Sequence, residues 1–233
     1  MRQIASVAAL LLLTTLVARP AAAASLDFAF AVQFSNSTLP GGPAPWINVN
    51  LNDSTAAAGY DVRATITGTG LTGSEFITGV YLSNTTNPAQ LTANEVSDSN
   101  GALEDVLFGA DAFQADGDGK YDILFDFSSN PPRFTNGETY VVDFNWTGGS
   151  LTLASFNILA APGGGHGPFF AAAHLQGIST GDGSTWIADG NGGSGDCPGC
   201  TPTPTGVVPE PASMFLLGSG LLGLAGYRRR ARR

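Results

Sequence analysis

The sequence has little of the side chains that most often carry catalysis or bind metals. It contains two cysteines and two histidines in 233 residues. The two cysteines, Cys197 and Cys200, cannot alone complete a tetrahedral zinc site, and Thr201 stands where haem attachment would need a histidine. A redox Cys-x-x-Cys motif needs a βαβ context that the sequence does not show. In an oxidising compartment the pair therefore predicts a local disulfide.

Basic side chains are also scarce through the central part of the chain. Residues 25–206 contain eighteen carboxylates and only three basic residues, Arg63, Lys120 and Arg133. Their net charge is therefore −15. The whole chain has a net charge of −9, because five arginines lie among its last six residues. An acidic body repels nucleic acid and anionic membrane surfaces. We therefore exclude nucleic acid as a partner and expect a soluble, exported body.

Residues 1–24 have the layout of a secretory signal peptide. Arg2 precedes an apolar run over residues 4–17, and the small residues Ala22 and Ala24 stand three and one positions before Ser25. This pattern predicts a signal helix that is cut between Ala24 and Ser25. The Sec translocon and signal peptidase are the partners that such a segment requires.

The body, residues 25–189, lacks a long apolar stripe with helical spacing; the nearest candidate for a helix is residues 89–96. Alternation with a period of two residues predicts strands instead. The alternating segments are residues 26–34, 46–51, 60–66, 121–127, 140–146 and 151–159. We predict an all-β fold, an antiparallel β-sandwich of about eight or nine strands, either jelly-roll or immunoglobulin-like.

The C-terminal part of the chain changes character twice. Residues 190–207 are rich in glycine and then alternate threonine with proline, which predicts a linker. Residues 208–233 begin with a Pro-Glu-Pro step, continue with an apolar segment over residues 212–227 and end in arginines. The Gly-x-Gly-x-x-Gly at residues 218–223 lacks the strand and the acidic residue of a dinucleotide site, so we discard it.

The apolar segment predicts a short transmembrane helix. Residues 214–227 would extend about 21 Å as a helix, against a hydrocarbon core of about 30 Å. The positive-inside rule places the arginines in the cytoplasm and the acidic body outside. The arginines are Arg228, Arg229, Arg230, Arg232 and Arg233. We therefore predict transient anchoring in the inner membrane.

Pro209, Glu210 and Pro211, the short apolar segment and the arginine cluster together resemble the PEP-CTERM sorting signal of Gram-negative bacteria. The resemblance implies that an exosortase recognises these three residues, with the five arginines as stop signal, and cuts nearby. It further implies delivery to the cell surface or the extracellular matrix. The alternative is a plain C-terminal anchor that is never cut. Several short sequence segments of the body also resemble those of uncharacterised PEP-CTERM exported proteins. This resemblance does not imply any activity for the body.

Candidate chemistry in the body is sparse. Asp116, Asp118 and Asp122 lie on a glycine-containing turn and are candidate calcium ligands, although the spacing does not fit an EF-hand. The alternative is a polar turn that leads into a strand. His166 lies in a glycine-rich segment and His174 in an apolar one, and no third zinc ligand is indicated. The sequence requires no cofactor, with calcium as the one alternative.

Three classes of function remain, and the absence of hydrolase motifs favours a protein that is not an enzyme. The first is a structural or matrix-associated module in exopolysaccharide. The second is a glycan- or calcium-binding lectin-like module, in which Trp46, Trp146 or Trp186 would stack on sugars. Tryptophans clustered on one outer face would favour it, and buried ones the first class. The third, a secreted glycoside hydrolase, would need two facing carboxyl groups in a groove.

Overall fold

The structure, a computed structural model, describes residues 25–190 except Asn36, Gly117, Thr180 and Asp182. This part of the chain forms eleven strands and two short 3-10 helices, Pro88–Gln90 and Leu153–Phe156. The strands are β1 Ser25–Gln33, β2 Ile47–Asn52, β3 Val62–Gly68, β4 Phe76–Leu82, β5 Leu91–Asp98, β6 Leu103–Ala115, β7 Gly119–Phe127, β8 Thr139–Trp146, β9 Ala161–Pro162, β10 Ala171–Gln176 and β11 Ser184–Asp189. The all-β prediction is confirmed.

The strands form one hydrogen-bonded sheet in the order β5-β8-β3-β2-β1-β11-β10-β4-β7-β6, and β9 pairs with β7. All of these pairings are antiparallel, as the alternation predicted. Strands β5 and β6 lie at the two ends of the order. The last strand of the body lies in the middle of the sheet, because β11 pairs with β1 on one side and with β10 on the other.

The sheet curls so that its inward face encloses the main core. Phe125 of β7 lies 5.9 Å from Phe144 and 6.0 Å from Tyr140 of β8, measured between ring centroids. Six strands separate β7 from β8 in the order of the sheet. The rings can meet only because the sheet bends back across its own apolar face. Burial of each such ring contributes about 1.5–3 kcal/mol to folding, which makes this face the main source of stability.

The first strand changes face part-way along, which the sequence pattern did not predict. Leu26, Phe28 and Phe30 lie in the main core as expected. The pairing of β1 with β11 shifts register between Phe30 and Val32, and Phe34 joins a second, separate cluster. A bulge of one residue moves every later side chain to the opposite face. The prediction of a single apolar face for residues 26–34 is therefore wrong beyond Phe30.

Two further segments differ from the sequence-based expectation. Residues 89–96, the nearest helical candidate, fall mostly in β5, which pairs with β8 at one end of the sheet. Beyond Leu91 most of this strand is exposed, so it shows no alternation that would reveal it. Residues 151–159, predicted as a strand, contain the 3-10 helix Leu153–Phe156. There Thr152 and Ser155 form a capping box that holds the turn.

The predicted ends of the chain lie outside the described residues. These are the signal peptide 1–24, the linker beyond Gly190 and the tail 208–233 with its transmembrane segment 212–227. Within the described residues, no helix has the length and apolar character needed to cross a membrane. Strand β1 begins at Ser25, the residue that follows the predicted signal-peptide cut.

Candidate functional site: an aromatic surface on the outward face of the sheet

A second apolar cluster lies on the outward face of the sheet, separate from the main core. In β10 and β11, alternate residues point to opposite faces: Ala173 and Ile187 join the main core, whereas Ala172 and Ala188 join the second cluster. The partly buried members of this cluster are Tyr81, Phe113 and Trp186. Large aromatic side chains therefore occupy the sheet face that water reaches, where an antiparallel sheet normally carries polar residues.

We call Trp186, His174, Tyr81 and Phe34 the aromatic surface, and Trp186 is at its centre. Its ring stacks on His174 at 4.5 Å with an angle of 30° between the planes, and lies 5.3 Å from Tyr81 and 6.4 Å from Phe34. Trp186 and His174 are directly opposite each other on β11 and β10. Such ring pairs contribute about 0.5–1.5 kcal/mol beyond their buried area, so the cluster fixes the orientation of the indole.

His174 is half-buried and hydrogen-bonded on the outward face. Its Nδ1 lies 2.7 Å from the Thr78 hydroxyl oxygen, and the same hydroxyl donates to the His174 carbonyl oxygen at 3.3 Å. Burial lowers the pKa of His174, an effect that the nearby Asp116 carboxylate opposes. A lowered pKa favours the uncharged form of the imidazole that stacks on the indole.

Tyr81 lies along its own strand over Gly79. A Cβ at Gly79 would come within 2.9 Å of Tyr81 Cε2, so a side chain there would push the phenol ring away. Burial and then the Asp126 carboxylate raise the pKa of Tyr81 to about 12. The phenol is therefore protonated at physiological pH and offers a hydroxyl group beside the indole.

Asp118 is buried at the end of the same cluster. The Tyr121 hydroxyl donates to its Oδ2, and a Cβ at Gly167, which has a φ of +60°, would overlap its Oδ1. Burial raises the pKa of Asp118 to about 6, while the Tyr121 hydroxyl, the Phe169 N–H and the charge of His166 act in the opposite direction. The carboxyl group therefore titrates close to neutrality.

Substitution of Asp118 by Asn is expected to alter how stability depends on pH. The folded pKa of about 6 lies above the unfolded value of about 3.9, so the stability from proton uptake is complete below pH 4 and is lost as the pH rises through 6. Asparagine has no charge to desolvate and can still accept from Tyr121. We expect the variant to be about 1–3 kcal/mol more stable than the parent at pH 8, and the difference to shrink at pH 5.

Thermal unfolding of both proteins at pH 5 and pH 8 measures this difference. Asp53→Asn, in an exposed turn, is the matched control, and its pH profile should follow that of the parent. Parallel profiles for the parent and Asp118→Asn would contradict the assignment of the titration to Asp118.

The three predicted calcium ligands are not gathered by the fold. Asp116 is exposed, and Asp118 accepts from Tyr121 inside the second cluster. Asp122 uses Oδ2 to accept from the Asn84 N–H at 2.8 Å and Oδ1 to accept from the Asp111 N–H at 3.0 Å. Across the described residues, no group of three or more His, Cys, Asp or Glu side chains could hold a metal ion. The arrangement gives calcium binding no support.

Both histidines belong to the neighbourhood of the aromatic surface, a relationship that sequence reasoning missed. His166 lies in the loop before β10, with its ring 6.2 Å from that of Phe34. His174 lies on β10, as its apolar surroundings predicted. No signal of spacing links the two residues, because Phe34 and Trp186 connect them and come from opposite ends of the body.

The three tryptophans do not cluster. Trp46 is buried in the main core, where its Nε1 donates to the Gly42 carbonyl at 2.8 Å. Trp146 is half-buried and packs against the same core. Trp186 lies on the outward face with Tyr81 and His174. Buried tryptophans were expected of a structural module, and Trp46 and Trp146 fit that expectation. Trp186, on the outward face, is the one tryptophan among the described residues that is placed to stack on a sugar.

The remaining predicted site residues lie outside the described part of the chain. They comprise the cleavage-site residues Ala22 and Ala24, the predicted disulfide between Cys197 and Cys200, and the sorting residues Pro209, Glu210, Pro211, Arg228, Arg229, Arg230, Arg232 and Arg233. For these residues the evidence is the sequence itself. Ser25, on the other side of the predicted signal-peptide cut, is the first residue of β1.

Comparison with known families identifies the C-terminal segment. Residues 207–230 match the family model of the PEP-CTERM protein-sorting motif. This chain carries a PEP-CTERM sorting signal. The match covers the Pro-Glu-Pro step and the arginines up to Arg230, which confirms the resemblance seen in the sequence.

The PEP-CTERM signal determines how the protein is handled. It marks an exported protein that is anchored transiently in a membrane and then processed by an exosortase. Searches of the curated proteins and of the solved structures returned no match. The motif does not extend into the β body, so the role of the body rests on its own side chains.

Proposed function

We propose that this PEP-CTERM protein is a structural module of the cell surface or the exopolysaccharide matrix of a Gram-negative bacterium. The Sec translocon and signal peptidase export it, the inner membrane holds it briefly, and exosortase releases it outward. The observation that carries the proposal is the sorting motif at residues 207–230. The body acts as a folded β module, of the sandwich type, rather than as an enzyme.

The position of the folded body supports this route. Strand β1 begins at Ser25 and β11 ends at Asp189, so neither the signal-peptide cut nor a cut near Pro209–Pro211 would remove any of the described strands. The body also has the charge of a soluble export product. Its net charge of −15 opposes adsorption to the anionic membrane surface from which it is released.

Mass spectrometry of the mature protein from its native host tests the proposal. We expect an N-terminus at Ser25 and a C-terminus that lacks the arginines, because both ends of the translated chain serve transport. The protein should be recovered from the surface or matrix fraction. Recovery of the intact chain, still ending in Arg233, would rule out exosortase release and leave a plain membrane anchor.

A lectin-like module is the second candidate, and the aromatic surface favours it. Trp186 and Tyr81 are half-buried on the outward face, with ring centroids 5.3 Å apart. Trp186 packs against His174 and Phe34, and Tyr81 packs against Tyr121. Aromatic rings that are held rigidly and exposed to solvent at one edge are a common means of binding sugars. Calcium-dependent binding and glycoside hydrolysis have no comparable observation in their favour.

A further inference from the structure

A row of directly paired residues crosses five neighbouring strands on the outward face. The directly paired residues are Trp186 of β11, His174 of β10, Gly79 of β4, Asp126 of β7 and Asp105 of β6. Residues that are directly opposite in an antiparallel pair lie on the same face. Trp186, His174 and Asp126 are half-buried, and Asp105 is exposed. The row therefore runs from an aromatic end to an acidic end.

The rings of Trp186 and Tyr81 form a corner at the aromatic end of the row. The planes of Trp186 and Tyr81 meet at 52°, with ring centroids 5.3 Å apart. His174 supports the indole from one side, and the glycine at position 79 provides the space in which the Tyr81 ring lies. The faces of indole and phenol rings attract cations, by about 0.5–2 kcal/mol depending on how dry the site is.

Among the residues that the structure describes, the carboxyl groups at the acidic end form no salt bridge with a basic side chain. Asp126 and Asp105 are directly opposite on β7 and β6. Burial, followed by the charges of Glu104 and Asp105, raises the pKa of Asp126. Asp126 is directly opposite Gly79, over which the Tyr81 ring lies, so the Asp126 carboxylate is on the same face beside the two rings. The ion pair between Arg63 and Asp143 lies elsewhere in the sheet.

We propose that this row is a binding site for glycans that carry free amino groups. A sugar ring packs on Trp186 and Tyr81, and its ammonium group lies between the aromatic faces and the carboxylate of Asp126. The proposal rests on the proposed function, since the matrix is where such a glycan would meet the protein.

Charge selects this class of glycan over the others. The carboxylates of the row and the net charge of −15 repel glycans built from uronic acids or bearing sulfate. An N-acetylated glycan has the same ring but no positive charge, so it gains the stacking contact without the attraction to Asp126. A cation that is not a sugar gains the attraction without the fit of a ring on the indole.

Binding is measured by calorimetry on the full chain in a mild detergent, so that the result does not depend on export or exosortase cleavage. The probes are glucosamine hexamer, N-acetylglucosamine hexamer and hexalysine at pH 6. We expect the glucosamine hexamer to bind at least about tenfold more tightly than the acetylated one. Trp186→Ala and Tyr81→Ala should each weaken it by about tenfold.

Two further variants separate the contribution of the aromatic rings from that of the Asp126 charge. Tyr60→Ala removes a half-buried tyrosine in the loop before β3 and should leave binding unchanged. Asp126→Asn removes charge without removing volume, so it tests the site even where Trp186→Ala fails to fold. It should bring the affinity for glucosamine hexamer close to that for the acetylated hexamer while the thermal melt keeps its cooperative form.

Three results would overturn the proposal. These are equal affinity for the two hexamers in the parent protein, tight binding that Asp126→Asn and Tyr81→Ala leave intact, and hexalysine binding as tight and as dependent on Trp186 as glucosamine. None of them would affect the sorting proposal, which mass spectrometry of the termini decides separately.

Discussion

Alanine in place of Pro209, Glu210 and Pro211 is expected to leave the protein in the inner membrane with its arginine tail intact. The PEP-CTERM motif includes these residues, and exosortase processing depends on that motif. The predicted helix of about 21 Å is shorter than the hydrocarbon core, and we expect the five arginines to hold it by charge until the chain is cut. Without the cut, nothing converts the anchored form into a released one.

Fractionation of the host, with mass spectrometry of the C-terminus in each fraction, measures this effect. We expect the membrane fraction to hold nearly all of the variant and the surface or matrix fraction to hold nearly all of the parent. Alanine at Pro202, Thr203 and Pro204 in the linker is the matched control, because it changes as many residues upstream of the motif. Normal release of the Pro-Glu-Pro variant would show that the motif is not the recognition element.

Substitution of Arg63 by Met is expected to lower the free energy of unfolding by about 2–4 kcal/mol at pH 7. Arg63 and Asp143 are directly opposite on β3 and β8. The buried Asp143 carboxylate accepts from Arg63 Nε at 2.7 Å, from Arg63 Nη2 at 2.8 Å and from the Ala57 N–H at 3.0 Å. The methionine leaves this carboxylate buried without its counter-charge, which is the costly way to break such a pair.

The destabilisation caused by Arg63→Met is expected to depend on pH. The hydrogen bond from Arg63 holds the pKa of Asp143 below its usual value. The stability from this pair is therefore present above the unfolded pKa of about 3.9 and is lost as the pH falls through the lower, folded value. The difference between the parent and Arg63→Met, measured by denaturant unfolding, should be largest near neutral pH and should narrow in acid.

Arg133→Met is the matched control for Arg63→Met. The Arg133 guanidinium lies 4.2 Å from the centroid of the Phe76 ring and donates to the Ser129 carbonyl at 2.8 Å, without a buried carboxylate to neutralise. Its loss should cost about 1 kcal/mol or less. Equal destabilisation by the two substitutions would contradict the role given to the buried pair.

The sequence by itself determined the features that depend on local order or on composition. Alternation in residues such as Val62, Ala64 and Ile66 predicted strands, because a strand places every second side chain on one face whatever it pairs with. The charge of the acidic body led us to expect no nucleic-acid partner, and this stays a prediction. The tail was recognisable because a sorting signal is read as a linear segment, and the family comparison confirmed it.

Tertiary structure alone decided where side chains from distant strands meet. A bulge in β1 moved Phe34 away from the core, and a pairing at the end of the sheet made residues 91–98 a strand although no pattern marks it. Trp186, Tyr81 and Asp126 form one surface because β11, β10, β4 and β7 are neighbours in the sheet. Periodicity is a property of one strand, whereas register and strand order follow from long-range pairing and burial, which no local pattern encodes.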